Sequence, residues 1–332
     1  MPHVLVAPDK FKGTLSADEV ADGLRRGLEE TGCSVHTLPV ADGGEGTAAA
    51  LVAARGGTWL DVPAHDAIGR PVSARVALLD DGRTAVVEAA AASGLWRLTS
   101  SERDALGATT AGTGELILAA QRAGATSILV AVGGSATTDG GAGAIEVIGD
   151  RLRAELVVAC DVASPWEDAA PVFGPQKGAS PDAVTLLRAR MDALAATAPR
   201  DPRGRPRTGA AGGLAGGLWA WLGARLVGGA DLVLDEVGFD AHLPGADLVV
   251  TGEGRIDPQT AVGKAAGVVA SRSRAAGVRC VAVVGSDALP AADREAMGIA
   301  RVLQAGTPDA LVAAGRLLGT ELRDGPEAAG SR

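Results

Sequence analysis

One segment of the sequence combines glycines, hydroxyls and a carboxylate in the manner of a phosphate-binding loop. It is VGGSATTDGGAG, 132–143, and it lies between a predicted buried strand and a predicted helix. Backbone N–H groups at a helix N-terminus and hydroxyl donors bind phosphate oxygens. The segment matches neither the Walker A pattern nor GxGxxG, and a flexible connection is the alternative interpretation. We predict phosphate contacts from Gly133, Gly134, Ser135, Thr137, Asp139, Gly140 and Gly141.

Carboxylates also follow three other predicted strands. Asp42 and Glu45 lie in ADGGEGT, Asp161 lies in ACDV, and Glu253 and Asp257 lie in TGEGRID. Mg²⁺ takes one or two carboxylates and keeps several waters, and a carboxylate at a strand end is also placed to act as a general base. The alternative role is a turn or a helix cap. We predict metal ligands at Asp42, Glu45 and Glu253 and catalytic carboxylates at Asp42, Asp161 and Asp257. The residue types alone do not separate the base from the metal ligands.

Two lysines lie in loops that could bind an anion. Lys12 and Asp9 belong to APDKFKGT, which directly follows the first predicted strand, and Lys177 lies in the rigid loop FGPQKG. Ligands of open α/β sheets bind at the carboxyl ends of strands. An amide, Gln259, follows the acidic segment that contains Asp257. The alternative is that both lysines are solvated surface residues.

The elements that would position these residues alternate at the start of the chain. Val4–Ala7 is typical of a buried strand, and Ser16 with Glu19 forms a capping-box pattern at the start of a helix. Ser34–Val40 and Thr58–Pro63 are predicted to be the next strands. Alternating strands and helices of these lengths indicate a parallel sheet with right-handed crossovers.

The pattern changes in the middle of the chain. Val72–Leu79 and Thr84–Val87 flank a turn and predict a hairpin. Gly212–Leu226 is predicted to be a glycine-rich helix, and Leu248–Thr251 a strand.

From about residue 278 the alternation of strands and helices seen at the start of the chain returns. We therefore predict an α/β fold in which a doubly wound parallel-sheet domain, 1–65 plus 278–332, carries an inserted second α/β domain, 66–277.

Composition excludes several classes of protein. Lys and Arg number 31 against 40 Asp and Glu, a net charge of −9, which argues against a nucleic-acid partner. Aromatic residues make up 2 % of the chain, too few for base-stacking platforms. No apolar stretch approaches the roughly 20 residues of a membrane span, and the first residues do not form a signal peptide. Three scattered cysteines suit reduced thiols, so we expect a cytoplasmic protein with no membrane partner.

Other catalytic signatures do not occur. The four histidines form no HExxH pattern, and there is no GxSxG nucleophile motif. The basic stretch that contains Arg200, Arg203, Arg205 and Arg207 could contact an anion, and a solvated loop that balances charge is the favoured interpretation.

The motifs together resemble the glycerate kinase type I family, the bacterial D-glycerate kinases. Nine stretches match in the order of the family and cover nearly the whole chain: APDKFKGTLSA (7–17), PVADGGEGT (39–47), AAASGL (90–95), GTGELI (112–117), VGGSATTDGGAG (132–143), ACDV (159–162), VFGPQKGA (172–179), GAAGG (209–213) and TGEGRIDPQT (251–260). One such string is a weak signal, but nine in order are specific.

The resemblance implies transfer of the γ-phosphoryl group of ATP, with Mg²⁺, to the 2-hydroxyl of D-glycerate. It implies a Rossmann-like domain, a swivelling inserted domain and an active site in the cleft between them. Phosphoryl transfer needs positioning and neutralisation of charge, and the glycerate carboxylate needs a cation. We therefore assign catalysis to Asp161, Lys12, Asp42, Asp257 and Lys177 and substrate binding to Asp9, Lys12, Lys177 and Gln259.

Three alternatives remain open from the sequence. The first is a non-catalytic sensor of a hydroxy acid or nucleotide, and the second is a kinase that forms 3-phosphoglycerate. The third is a nicotinamide oxidoreductase, which the missing GxGxxG disfavours. Both a monomer and a homodimer are compatible with the sequence.

Overall fold

The structure is a computed structural model, and it describes residues 1–324 except the side chains of Gln259 and Val262. The strands are β1 His3–Pro8, β2 Ser34–Thr37, β3 Gly57–His65, β4 Pro71–Leu79, β5 Thr84–Glu88, β6 Ser127–Ala131, β7 Glu155–Cys160, β8 Arg225–Gly228, β9 Leu248–Ile256, β10 Cys280–Asp287 and β11 Ile299–Gln304. The helices are α1 Ala17–Glu30, α2 Thr47–Arg55, α3 Ala90–Ser93, α4 Ala111–Arg122, α5 Ala142–Ile148, α6 Ala169–Phe173, α7 Pro181–Ala196, α8 Leu214–Leu222, α9 Gly229–Glu236, α10 Phe239–His242, α11 Ala265–Ala275, α12 Ala291–Met297 and α13 Pro308–Asp324.

The chain divides into two compact units. Unit 1 comprises residues 1–41 and 233 to the last described residue, and unit 2 comprises residues 42–232. The predicted fold class, a doubly wound parallel-sheet domain with an inserted α/β domain, is confirmed.

Unit 1 has one parallel sheet in the order β2-β1-β9-β10-β11. Its central strands are apolar runs because both faces are covered. Val4 and Val6 pack in a core with residues of α1 and α13, whereas Leu5 is buried on the opposite face of the sheet, and α11 contacts β1, β9 and β10. The strand order reverses between β1 and β9, and ligands of such sheets bind beyond the carboxyl ends of the strands at this point.

Helix α1 of unit 1 begins as its sequence predicts. The Ser16 hydroxyl accepts a hydrogen bond from the Glu19 backbone N–H, and the Glu19 carboxylate accepts one from the Ser16 backbone N–H. These two bonds satisfy groups that a helix start leaves unpaired.

Helices α1 and α13 pack closely because Gly27 of α1 lies directly against the backbone of α13. A Cβ atom on Gly27 would lie 2.0 Å from the Val312 carbonyl oxygen and 2.8 Å from the Arg316 backbone nitrogen. The neighbouring atoms are backbone, so a larger residue at 27 would force the helices apart.

We expect Gly27→Ala to lower the free energy of unfolding by about 1–3 kcal/mol because overpacking outweighs the better helix propensity of Ala, about 1 kcal/mol. Urea unfolding followed by circular dichroism measures the change. Arg26→Ala, on the exposed side of α1, is the control and should change stability by about 0.5 kcal/mol at most. Equal stability of the two variants would contradict the close packing.

Unit 2 has a mixed sheet in the order β3-β4-β5-β6-β7-β8. The first three strands pair antiparallel, and β5 to β8 pair parallel. Its core joins one face of the sheet to α4, α5 and α8. The carboxyl ends of β6 and β7 are adjacent, so the segments that follow these two strands lie side by side.

The unit boundaries differ from the predicted ones near 65 and 277. Thr58–Pro63 was assigned to the parallel sheet, but all nine residues of β3 pair antiparallel with β4. The paired residues run from Gly57 opposite Leu79 to His65 opposite Pro71. Conversely, β9 was assigned to the inserted domain, but it pairs with β1 and β10 in unit 1. In both cases, the strands with which the segment pairs determine the unit to which it belongs.

Two element predictions also need correction. The segment Gly212–Leu226 is not one helix, because α8 ends at Leu222 and β8 begins at Arg225. Strand β9 does not end at Thr251, because it pairs with β10 as far as Ile256. Over residues 1–324, no helix is both long and apolar enough to cross a membrane.

Candidate active site

Three of the predicted motifs meet in unit 2. The Gly133 backbone N–H, just after β6, donates a hydrogen bond of 3.1 Å to the Gly43 carbonyl oxygen. A Cβ atom on Gly133 would lie 2.8 Å from the Gly44 Cα and 3.1 Å from the Asp161 Oδ2. The glycine-rich loop, the ADGGEGT loop and the carboxylate after β7 are therefore neighbours.

The ADGGEGT loop needs glycine at position 43. Gly43 has a φ of +91°, in the left-handed region, and a Cβ there would lie 2.8 Å from the Gly229 Cα and 3.1 Å from the Ala159 carbonyl oxygen. The backbone of this loop therefore lies directly against the end of β7, which Asp161 follows. Asp42 precedes the glycine and is half-buried.

Lys177 is a buried cation in the same unit. Its side chain is 3 % exposed, and Nζ donates to the Ser135 Oγ at 3.1 Å and to the Thr137 carbonyl oxygen at 2.5 Å. Burial lowers the pKa of Lys177 to about 8, while the carboxylates of Asp161 and Asp139 act in the opposite direction. The lysine is therefore not the solvated residue that the alternative interpretation described.

The carboxylate of Asp139 organises two helix starts. Its Oδ2 accepts hydrogen bonds from the Thr110 backbone N–H and hydroxyl, at 2.9 and 2.8 Å, and from the Gly143 N–H, at 3.2 Å. Its Oδ1 accepts one from the Gly141 N–H at 3.1 Å. These bonds fix the starts of α4 and α5, so Asp139 shapes the loop rather than presenting its charge to a ligand.

Part of the backbone of the glycine-rich loop is already hydrogen-bonded within the protein. Gly133 and Gly141 donate to protein acceptors, and Gly140 donates to the Gly212 carbonyl oxygen at 3.0 Å. Gly134 is exposed, with a φ of +79°. Two buried hydroxyls in the loop, those of Thr137 and Thr138, have no hydrogen-bond partner.

Glu88 is a residue that sequence reasoning missed. It ends β5, and its Oε1 accepts hydrogen bonds of 2.9 Å from the backbone N–H groups of Gly46 and Ala48. The carboxylate thus binds the N-terminus of α2, where negative charge is favoured. Only the pairing of β5 with β6 brings Glu88 there, and its local sequence carries no such signal.

In unit 1, the predicted residues gather where the strand order reverses. Asp9 follows β1, is 8 % exposed, and donates its backbone N–H to the Gly252 carbonyl oxygen of β9 at 2.8 Å. Its Oδ1 accepts a hydrogen bond of 2.7 Å from the Lys10 backbone N–H. Lys12 is exposed, and its backbone nitrogen is 3.1 Å from where a Cβ on Gly254 would lie. The APDKFKGT segment therefore packs against TGEGRID.

The carboxylate of Glu253 is buried and already occupied. Its Oε1 accepts a hydrogen bond of 2.6 Å from the Thr260 hydroxyl, and its Oε2 is 3.4 Å from the Lys264 Nζ. Burial raises the pKa of Glu253, and Lys264 opposes that rise. Lys264 also lies 3.5 Å from the Asp257 Oδ1, so one ammonium group joins two predicted functional carboxylates.

The predicted metal ligands are divided between the two units. Asp42 and Glu45 belong to unit 2 and Glu253 belongs to unit 1. Among the described residues, no group of three or more His, Cys, Asp or Glu side chains could hold a metal ion. The side chain of Gln259, a predicted substrate ligand, lies outside the described residues.

The structure thus assembles the predicted residues in two places. One, in unit 2, brings together Gly43, Gly133, Ser135, Asp161 and Lys177. The other, in unit 1, brings together Asp9, Lys12, Glu253 and Asp257 with Lys264, which is not among the predicted site residues.

Comparisons with known proteins agree on one family. The chain matches the model of the Glycerate kinase family over residues 4–155 and 149–314. It is 40 % identical to "Glycerate kinase" of Bacillus subtilis, with 85 % of each chain covered. It is 37 % identical to "Glycerate 2-kinase" of Escherichia coli, with 79 % of each chain covered.

A solved structure gives the same result. A crystal structure from Salmonella typhimurium LT2, described as a glycerate kinase 2, superposes with a TM-score of 0.82 at 33 % identity and covers 98 % of this chain and 99 % of its own. The relatives are named as phosphotransferases that act on glycerate. On the sequence match and the shared fold together, this chain belongs to the glycerate kinase family, and it is a kinase.

Proposed function

We propose that this protein transfers the γ-phosphoryl group of ATP to the 2-hydroxyl of D-glycerate. The observation that carries the proposal is the position of the Asp161 carboxylate beside the glycine-rich loop. A Cβ atom added to Gly133 would lie 3.1 Å from the Asp161 Oδ2. The same unit buries the Lys177 ammonium. Membership of the glycerate kinase family supports the reaction. The name of the Escherichia coli relative, "Glycerate 2-kinase", supports the position of transfer.

Asp161 has the role of general base. It follows β7 at the carboxyl end of a parallel sheet, where ligands bind, and its carboxylate accepts the proton of the substrate hydroxyl as that oxygen attacks phosphorus. Lys177 has a different role, because its Nζ is bound to Ser135 and to the Thr137 carbonyl. Its positive charge lies next to the glycine-rich loop and favours bound phosphates. Its hydrogen bonds hold the loop in the conformation that binds them.

The glycine-rich loop is the proposed site of the ATP phosphates. Exposed Gly134 lets a ligand approach the backbone. The unpartnered hydroxyls of Thr137 and Thr138 are polar groups that need a hydrogen-bond partner. Asp139 contributes by holding the loop and the start of α5 in place.

The residues of the ADGGEGT loop fit Mg²⁺. Half-buried Asp42 and neighbouring Glu45 supply the oxygen ligands that Mg²⁺ takes together with substrate phosphates and water. Bound there, the ion would neutralise charge that develops on the phosphates. Glu253 fits less well, because the Lys264 ammonium lies 3.4 Å from its carboxylate and repels a second cation.

The proposed anchor for the carboxylate of D-glycerate is Lys12. Its side chain is exposed and no carboxylate of the described residues lies within salt-bridge distance of it. It follows β1 at the reversal of strand order in unit 1. Asp9 and Gln259 are assigned to substrate binding on their sequence positions, and Asp257 is assigned to catalysis.

An acceptor panel tests the proposed activity. ADP release is measured with ATP and Mg²⁺ in the presence of D-glycerate, L-glycerate, D-lactate or no acceptor. We expect release with D-glycerate and none above background without an acceptor. D-lactate keeps the 2-hydroxyl and the carboxylate but lacks the 3-hydroxyl, so release with it measures whether these two groups suffice for transfer. Binding of D-glycerate without any ADP release would instead establish a sensor and contradict the proposal.

A further inference from the structure

A basic surface of unit 2 is unrelated to the residues assigned so far. Five arginines lie on the loop before α8 and at the start of β8: Arg200, Arg203, Arg205, Arg207 and Arg225. In a chain with a net charge of −9, this concentration of positive charge stands out. The sequence alone suggests a solvated loop, but the structure shows a cavity at this place.

The cavity has a volume of about 280 Å³ and is lined by Arg205, Pro206, Thr208, Trp219, Arg225 and Leu226. We call it the arginine pocket. Its volume lies just below the usual range for small-molecule sites. Trp219 and Leu226 give it an apolar wall, and the two guanidinium groups give it charge.

The guanidinium groups of the arginine pocket have no carboxylate partner. In the described part of the chain, neither Arg205 nor Arg225 has an acidic group within salt-bridge distance. Arg203, by contrast, is bound by Asp201 at 2.8 Å. Asp201 thus neutralises Arg203 directly, whereas it acts on Arg205 from a longer distance and without an ion pair.

Stacking holds Arg205 in place. The guanidinium of Arg205 lies 4.7 Å from the centroid of the Trp219 ring, and that of Arg200 lies 4.9 Å from it. Such cation–π contacts reduce the freedom of an arginine side chain without neutralising its charge. The Thr208 hydroxyl donates to the Pro202 and Arg205 carbonyl oxygens, at 2.8 and 2.7 Å, so it stabilises the loop rather than facing a ligand.

The loop itself is held in an unusual conformation. Arg207 has a φ of +71°, in the left-handed region, which is unfavourable for a residue with a side chain. Its backbone N–H donates to the Ala163 carbonyl oxygen at 3.0 Å, and the Gly209 N–H donates to the Ser164 carbonyl oxygen at 3.0 Å. The pocket is therefore a preformed part of the fold.

We propose that the arginine pocket binds a small dianion of the phosphate class. Guanidinium groups match phosphate oxygens with paired N–H donors, and a dianion would balance the charges of Arg205 and Arg225. The site is distinct from the Asp161 site, because Arg225 pairs with Val157, four residues before Asp161 along β7. The proposal does not depend on the reaction proposed above.

Calorimetric titration of the full chain with inorganic phosphate and with glycerol 3-phosphate tests the proposal. Arg205→Gln/Arg225→Gln should weaken binding of the tighter ligand at least tenfold. Arg203→Gln removes the same kind of charge outside the pocket and should bind like the native protein. Equal affinity of all three proteins would overturn the proposal, because any binding would then lie elsewhere.

The two titrants separate the possible sources of the anion. Equal affinity for both indicates a site for the phosphate group itself, and tighter binding of the ester indicates a phosphorylated metabolite. Arginine modification of the native protein by phenylglyoxal, mapped by mass spectrometry, is independent of any variant. The bound anion should protect Arg205 and Arg225 but not Arg203, and unchanged modification of all three would also overturn the proposal.

Discussion

Asp161→Asn is expected to lower kcat by a factor of about 10²–10⁴, the usual effect of losing a general base. Asn has nearly the same size as Asp, so the substitution preserves the close packing against Gly133. A Cβ atom added to Gly133 would lie only 3.1 Å from the Asp161 Oδ2. It removes the negative charge that is proposed to accept the proton of the substrate hydroxyl. The dissociation constant for ATP should change little, because the proposed phosphate contacts belong to other residues.

Steady-state kinetics with D-glycerate, together with calorimetric titration of ATP, measures both quantities. Asp201→Asn is the matched control, because Asp201 is exposed and forms an ion pair with Arg203 away from the proposed active site. Its turnover should equal that of the native protein. If Asp161→Asn keeps nearly full turnover, Asp161 is not the base, and Asp42 or Asp257 takes its place as the candidate.

Lys177→Met is expected to lower kcat by about 10²–10³, the typical cost of removing one preorganised electrostatic contact to the transition state. Met fills a similar volume but gives no charge and no hydrogen bond to Ser135. The native kcat should also fall as the pH rises through about 8, the value to which burial lowers the pKa of Lys177. Kinetics from pH 6.5 to 9.5 measure this, and the control is Lys12→Met, which removes an exposed lysine and should raise KM for D-glycerate.

The same substitution should also change how the free energy of unfolding depends on pH. This dependence distinguishes a buried ammonium group from an exposed one. The unfolded chain holds its Lys177 proton up to about pH 10.5, whereas the folded chain loses it near pH 8. Between these values the unfolded state binds more protons, so the free energy of unfolding of the native protein rises with pH.

Relative to Lys177→Met, the native protein should gain about 3 kcal/mol between pH 7 and pH 10.5, since one pKa unit corresponds to about 1.4 kcal/mol. Urea unfolding of both proteins at several pH values measures the difference. A difference that does not change with pH would show that the Lys177 amine is not desolvated in the folded state, and the electrostatic role would then be wrong.

Local signals in the sequence predict the local structure well. The capping box of Ser16 and Glu19 starts α1 where the pattern places it, and the hairpin of Val72–Leu79 with Thr84–Val87 appears as β4 and β5. Both depend on residues a few positions apart. The order of nine motifs likewise suffices to predict the family, which the comparisons confirm.

Pairing between distant segments was not predictable in the same way. Thr58–Pro63 has the composition of a strand, but nothing within it selects antiparallel β4 over a parallel neighbour. The extension of β9 to Ile256 depends on β10, whose pairing reaches Asp287. Because the unit boundaries follow from these pairings, they differ from the predicted positions.

The candidate site shows the same limit at the level of side chains. Lys177 lies in a loop typical of the surface, yet the fold buries it against Ser135. Asp139 was predicted to contact phosphate, yet its four hydrogen bonds tie together the starts of α4 and α5. Glu88 reaches α2 only through the sheet. In each case burial or a partner distant in sequence determines the role.

Phosphorus NMR of the product tests most directly whether this kinase transfers phosphate to the 2-hydroxyl of D-glycerate, as proposed. The native protein is incubated with D-glycerate, ATP and Mg²⁺, and the spectrum is recorded before any other enzyme is added. We predict that 2-phosphoglycerate and ADP form in equal amounts. Formation of 3-phosphoglycerate, or of ADP without a phosphorylated acid, would contradict the claim.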